Sequence, residues 1–337
     1  MRAWEIVSDA GVDALALNEQ PVPEPGPGQV LVKVHASSIN YRDLSTIEDP
    51  VSRRLPYPTI PNSDAAGEIV ALGPGVTGLA VGERVVSCFF QDWAAGPITP
   101  TAMASALGGA RPGVLAEQVV LEACGVIPVP SHLSWQEAAT LPCAALTAWH
   151  ALMAPRPLRA GETVLLLGTG GVSVFAQQFC ALMGARTIVT SSSDGKLERM
   201  RSLGAAETIN YRQTPDWEAK VVGLTDGLGA DRVIEVGGPG TLQRSISACR
   251  VGGVIALIGI LTGVQGAVAP TDIMRKSIAL QGIYVGSRQM FAEMNRAIAL
   301  HGLKPVIDEV FEFTDARAAY HRMRRADHFG KLVIAVS

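Results

Sequence analysis

The chain has 337 residues, 48% apolar and only 18% charged, with a formal net charge of −3. That length points to two domains, and that composition supports a large core and excludes a disordered chain. Lys and Arg are scattered and aromatics make up 5%, so neither a basic face nor a stacking platform for nucleic acid is expected.

The chain starts Met1-Arg2-Ala3-Trp4-Glu5, without the apolar run of a secretion signal. Short apolar runs then recur at 29–36, 66–72, 84–90 and 115–121. Turn signals such as Pro25-Gly26-Pro27-Gly28 and Gly73-Pro74-Gly75 separate them. This rhythm predicts a β-rich, mostly antiparallel domain over 1–125. From about 126 the rhythm changes. Strands are predicted at 163–167, 187–190, 232–236, 254–258 and 280–285, and helices at 172–183 and 196–203, with Gly204 as a stop. Alternating strands and helices predict an α/β, doubly wound parallel sheet over 126–299. The segment 300–337 holds an apolar run at 306–313, a helix at 315–325 and a strand at 331–336. The pattern alone lets it complete either domain.

The most apolar stretch, 251–269, carries five glycines and ends at Pro270. It reads as a buried strand with its loop, not a membrane span. The five cysteines (Cys88, Cys124, Cys143, Cys180, Cys249) form no Cys-x-x-Cys pair. Neither a disulfide framework nor a zinc lobe is indicated, and a reducing cytoplasm is the expected location.

The strongest motif is Leu167-Gly168-Thr169-Gly170-Gly171-Val172-Ser173, between a predicted strand and a predicted helix. In that context Gly168 permits the turn and Gly170 admits a pyrophosphate, which the helix N–H groups then hold. Ser173 stands at the third glycine position. An NAD-binding unit places Asp or Glu on the ribose at the end of its second strand. Here that place reads Ser191-Ser192-Ser193, with Lys196 following. Hydroxyls and a cation suit a 2′-phosphate, so NADPH is the expected cofactor. Asp194 reads as the N-cap of the next helix.

On these motifs the chain resembles the zinc-free branch of the medium-chain dehydrogenase/reductase superfamily that includes quinone oxidoreductases and zeta-crystallin. The resemblance runs through residues 24–34, Ser38-Ile39-Asn40-Tyr41-Arg42-Asp43-Leu44, Pro61-Asn62-Ser63-Asp64-Ala65-Ala66-Gly67, Leu146-Thr147-Ala148-Trp149 and Phe329-Gly330-Lys331. It implies a GroES-like domain over 1–125, completed by 300–337, with the Rossmann domain inserted, the active site in the cleft between them, and a homodimer. It implies further cofactor contacts at Thr147, Tyr211, Gly237, Gly238, Ile258, Gly259, Ile260, Val285, Gly286 and Ser287. Zinc-dependent relatives place Cys, His and Cys or Asp around the metal. The matching positions are Asn40, Ser63 and Cys143, and one thiol makes no zinc site.

Without a metal, the substrate must be polarised by hydrogen bonds, which suits a quinone or an α,β-unsaturated carbonyl. The resemblance puts Asn40-Tyr41-Arg42-Asp43 beside the nicotinamide. Tyr41 and Asn40 are the candidate catalytic donors, and Arg42 with Asp43 reads as an internal ion pair. The aromatics of Phe89-Phe90-Gln91-Asp92-Trp93 are candidates to wall the substrate pocket. Two other readings stay open: an NAD(P)-dependent alcohol dehydrogenase, and an NADPH-binding protein without turnover.

Overall fold

The computed structural model describes all of residues 1–337. In chain order the first strands are β1 (Arg2–Glu5), β2 (Ala16–Glu19), β3 (Gln29–Ile39), β4 (Asp64–Leu72), β5 (Arg84–Ser87), β6 (Gln118–Glu122) and β7 (Val126–Pro128). Helices α1 (Tyr41–Glu48), α2 (Pro100–Met103) and α3 (Trp135–Ala139) accompany them. A π-helical turn, Leu141–Ala145, leads into α4 (Leu146–Met153). Next come β8 (Thr163–Leu167), α5 (Gly171–Leu182), β9 (Arg186–Ser191), α6 (Asp194–Ser202), β10 (Glu207–Asn210), α7 (Trp217–Leu224) and β11 (Ala230–Glu235). They are followed by α8 (Pro239–Ala248), β12 (Cys249–Leu257), α9 (Pro270–Arg275) and β13 (Ala279–Gly282). The chain closes with α10 (Arg288–His301), β14 (Ile307–Glu312), α11 (Ala316–Arg324) and β15 (Lys331–Ala335).

These elements form two compact units, Met1–Leu146 with Val285–Ser337, and Thr147–Tyr284. The junctions fall later than 125 and earlier than 299. The reason is packing: α3 lies against β3 and β4, and α10 against β7, so both helices belong to the first unit. A helical period marks a helix without saying which sheet it will cover.

In the first unit a seven-stranded sheet runs β14-β15-β3-β4-β5-β7, with β6 also pairing β3. β15 is antiparallel to β3, with Leu332 opposite Ile39. The C-terminal segment therefore completes this unit. Leu332, Val333 and Ile334 are fully buried, each contributing about 1.5–3 kcal/mol of apolar burial.

In the second unit the order is β10-β9-β8-β11-β12-β13, with every pair parallel. Counted from β8 this is the dinucleotide-binding order, and the order reverses between β8 and β11. β8 reads as an unbroken apolar run because both its faces are covered; Leu165 and Leu167 join Ile188, Val233 and Ile255 in one core. The apolar stretch after 251 is the second half of β12 and its loop, and no helix is long and apolar enough to cross a membrane. The strand expected over 280–285 stops at Gly282, and Val285 takes a left-handed φ of 51°.

Candidate functional site

The second unit places the glycine motif where β8 ends and α5 begins. Gly168 has φ 74° and its N–H donates to Thr190 at 2.9 Å. A Cβ on Gly168 or Gly170 would meet nothing within 4 Å, so open space lies over the turn. The first helical hydrogen bond of α5 runs from Val174 to Gly170, leaving the N–H groups of Gly171, Val172 and Ser173 available. Ser173 is buried and its hydroxyl donates to the Leu167 carbonyl at 2.6 Å. That bond draws helix and strand together where a third glycine would otherwise allow close packing. Thr169 between the glycines is buried.

Apart from Thr147 in α4 and Lys196 in α6, the other expected cofactor residues of this unit sit at or just beyond strand C-termini. Ser191 ends β9, is buried, and its carbonyl accepts from the Tyr211 N–H at 3.0 Å. Ser192 and Ser193 are half-buried. Ser193, not Asp194, caps α6, accepting from the Lys196 N–H at 3.4 Å. Asp194 instead accepts from Asn210 at 2.7 Å and Gln213 at 3.0 Å. Its carboxylate ties α6 to the end of β10, and the serine one place earlier has the extended backbone a cap requires. Tyr211 is exposed. After β11, the Glu235 carboxylate accepts from the N–H groups of Gly237 and Gly238 at 2.7 and 2.9 Å and from Thr241 at 2.6 Å. Ile258 and Gly259 donate back to the Glu235 carbonyl at 2.9 and 3.2 Å. Gly259 has no room for a side chain, since a Cβ would lie 2.0 Å from the Val236 carbonyl. Ile260 is exposed, and Thr147, at the start of α4, is buried.

The remaining expected contacts lie in the first unit. Val285 is buried, and Gly286 faces Leu146, where a Cβ would approach to 2.8 Å. Ser287 is spent on the cap of α10, accepting from Met290 at 3.2 Å.

The first unit also gathers a buried polar cluster at the start of α1. Asn40, Asp43, Ser63, Asp64, Cys143 and Lys331 are all buried. Asp64 accepts from Ser63 at 2.6 Å, Ser38 at 3.1 Å and the Cys143 N–H at 3.3 Å. Asp43 accepts from the Asn40 N–H at 2.8 Å and pairs with Arg42 at 3.1 Å. Arg42 also donates to the Leu107 carbonyl at 2.7 Å, so the ion pair fixes the local chain. Lys331 donates to the Asn40 Oδ1 and, at 2.7 Å, to the Ile39 carbonyl. Asn40 Nδ2 is buried without a partner, an arrangement that costs about 1–3 kcal/mol. Burial pushes the Asp43 carboxyl up, opposed chiefly by the Arg42 charge, and the Lys331 ammonium down, opposed chiefly by the Asp64 charge. Burial, and then the Asp64 charge, holds the Cys143 thiol far above the range in which it ionises at neutral pH. Tyr41, the first residue of α1, is exposed. Phe89, Phe90 and Trp93 are buried and pack edge to face, making their loop part of the unit's core.

The chain matches the family models of the alcohol dehydrogenase GroES-like domain over residues 26–131 and of the zinc-binding dehydrogenase over 171–300. It is 41% identical to a zinc-type alcohol dehydrogenase-like protein of Schizosaccharomyces pombe, over 97% of this chain and 96% of the relative. The chain belongs to the medium-chain dehydrogenase/reductase superfamily, in its zinc-type alcohol dehydrogenase-like branch. A solved alcohol dehydrogenase candidate from Sinorhizobium meliloti 1021 is 40% identical, with TM-score 0.92 and coverage of 99% and 98%. An NAD-dependent alcohol dehydrogenase is 34% identical, with TM-score 0.91 and full coverage of both chains. A crotonyl-CoA carboxylase/reductase in complex with NADP is 25% identical, with TM-score 0.89 and coverage of 100% and 94%.

As a medium-chain dehydrogenase/reductase, the protein is an oxidoreductase with a nicotinamide cofactor. The second unit fits that cofactor on its own geometry: an open cradle over Gly168 and Gly170, with unspent N–H groups behind it. Glu235, Asp64 and Lys331 were not singled out from the sequence. Glu235 closes an apolar strand, a signal that a buried acid ties the next turn. Lys331 follows Gly330 at a strand start and gives no local sign of burial.

Proposed function

We propose that this medium-chain reductase passes a hydride from NADPH to a quinone or an α,β-unsaturated carbonyl without zinc. The observation that carries the reading is the donor set at Asn40, Ser63 and Cys143. The Asn40 oxygen is taken by an ammonium and the Ser63 hydroxyl by Asp64, which leaves the Cys143 thiol as the one group of the three with the character of a zinc ligand. A catalytic zinc needs three protein ligands with thiolate, imidazole or carboxylate character. These residues do not fit one.

The bound nicotinamide supplies the hydride. What the chain supplies is orientation and hydrogen bonding. In a conjugated acceptor the developing negative charge reaches the carbonyl oxygen, where one or two placed donors suffice. Asn40 Nδ2 is an unspent donor, and the Tyr41 hydroxyl is a second, exposed one. Ser191, Ser192, Ser193 and Lys196 receive the 2′-phosphate, Tyr211 lies against the adenosine end, and the N–H groups of Gly171 and Val172 hold the pyrophosphate. The NADP-bound relative supports the choice of cofactor and of an unsaturated substrate. An edge strand, β13, with Leu280 exposed on it and Tyr284 exposed just after it, supports a homodimer formed along that edge.

A second reading, an alcohol dehydrogenase, is favoured by the names of the more similar relatives. The two separate by NADPH consumption, followed by absorbance, in chelator-treated protein offered a quinone, an enone and a saturated aldehyde. Consumption with the quinone or enone is expected. Activity confined to the aldehyde, or returning only with added zinc, would sink the zinc-free reading.

A further inference from the structure

The Asn40 carboxamide has two ends with different surroundings. Its oxygen accepts from the Lys331 ammonium, and its nitrogen, equally buried, has no acceptor. Buried polar groups are nearly always paired, so an unpaired one asks for a reason. A 180° flip offers no escape. It would turn the amide NH2 onto the ammonium, donor against donor, and leave the amide oxygen at the unpaired end.

Lys331 is itself immobilised. It is buried at the start of β15, whose pairing with β3 sets Leu332 opposite Ile39. From there its Nζ also donates to the Ile39 carbonyl at 2.7 Å. The acidic groups acting on it are Asp64 and Asp43, with the Cys143 thiol alongside. Asp43 holds the Asn40 main chain through its N–H at 2.8 Å. The asparagine backbone and the oxygen of its side chain are thus both fixed, and only the NH2 group remains to be satisfied.

We infer that Lys331 is a positioning residue, whose ammonium orients the Asn40 carboxamide so that Nδ2 is presented as the hydrogen-bond donor to the substrate carbonyl oxygen. The inference rests on the proposed reduction of a conjugated carbonyl with Asn40 as a donor. A donor locked in place before the substrate arrives needs no reorganisation as charge develops on the oxygen. Without the ammonium the carboxamide is free to present its oxygen instead, and oxygen against oxygen opposes the reaction. The loss therefore belongs in kcat, not in cofactor binding.

The test compares the wild type with Asn40→Ala, Lys331→Met, Lys331→Arg and the Asn40→Ala/Lys331→Met double variant. For each, kcat and KM are measured with a quinone, an enone and a saturated aldehyde, and NADPH affinity by fluorescence titration. Asn40→Ala and Lys331→Met are each expected to lower kcat by roughly 10- to 100-fold, the scale of one lost oxyanion donor. NADPH affinity should stay within about twofold, and the double variant should be no slower than Asn40→Ala, because the lysine acts only through the asparagine. Losses that multiply in the double variant, or a Lys331→Met variant with wild-type kcat, overturn the inference. If Lys331→Met does not fold, Lys331→Arg decides. It keeps a cationic donor, so its kcat should stand well above that of Asn40→Ala, and an equal loss overturns the proposal. A wild type that turns over only the aldehyde overturns the enone reading and leaves the variant comparison to be read on that substrate. A wild type that consumes NADPH with none of the three overturns both.

Discussion

The guanidinium of Arg232, fully buried on β11, donates to the carbonyl of Ala151 near the end of α4 at 2.6 Å. It also reaches the carbonyls of Ala154 and Arg156. Burial, helped by the Arg156 charge, pushes its pKa down to about 10, so it remains a cation at neutral pH. A cation at a helix C-terminus meets unpaired carbonyls and the negative end of the helix dipole. Arg232→Met leaves three carbonyls, one buried and two part-buried, without this donor. The expected loss is about 3 kcal/mol or more of stability, read as a lower urea midpoint. Arg232→Lys, with fewer donors, should fall between. A Met variant with the wild-type midpoint would show that water replaces the arginine without cost.

Much of the second unit was legible because its signals are local. β8 is a short apolar run with covered faces, and the glycines follow it at once. The unit boundaries were not legible. Ser134 and Glu137 form a capping box that announces α3, yet nothing in the helix itself says that it packs on β3 and β4. The role of Lys331 was hidden for the same reason. Its partners, Ile39 and Asn40, are close only because β15 pairs with β3 from the far end of the chain. The cap of α6 was missed by one residue, since Ser193 and Asp194 are both good capping types and only the backbone distinguishes them.

Thiol reactivity should follow burial. Cys88, Cys180 and Cys249 are buried with pKa values pushed up to about 12, and Cys143 is shifted upward too. Cys124 alone is exposed; partial burial of its thiol and the Asp92 and Glu122 charges raise its pKa too, so access and not acidity sets it apart. Because the thiolate is the reactive form, iodoacetamide at pH 8 should add one label to the native chain and five in denaturant, counted by intact mass. Rapid labelling of Cys143 in the native protein would contradict its placement.

Cofactor preference should turn on the end of β9. Ser192→Asp puts a carboxylate where a 2′-phosphate is proposed to sit. The expected result is a rise in the KM for NADPH of roughly 100-fold, with the KM for NADH unchanged or lower. An unaltered ratio of kcat/KM for the two cofactors would remove the serine run from the phosphate site.

Tyr41 can be separated from Asn40 because it is exposed and contributes little to the core. Tyr41→Phe removes only a hydroxyl. If that hydroxyl donates to the substrate, kcat should fall by roughly 10-fold or more while NADPH affinity and the thermal midpoint hold. Wild-type turnover would leave the aromatic ring as a wall and Asn40 as the remaining donor.

Gly170 separates fold from function within the motif. Its backbone, φ −78° and ψ −177°, is open to any residue, and an added Cβ meets nothing within 4 Å. The fold therefore does not require a glycine here, unlike Gly168 with its φ of 74°. Gly170→Ala should leave the thermal midpoint unchanged, or raise it by the ~0.4–1 kcal/mol that a less flexible unfolded chain gives. The methyl group would project into the space proposed for the pyrophosphate, so NADPH affinity should fall by 10-fold or more, measured by titration of cofactor fluorescence. The two readouts move independently. A lower midpoint would mean that the turn carries strain its dihedral angles do not reveal, and an unchanged affinity would place the pyrophosphate elsewhere on the sheet edge.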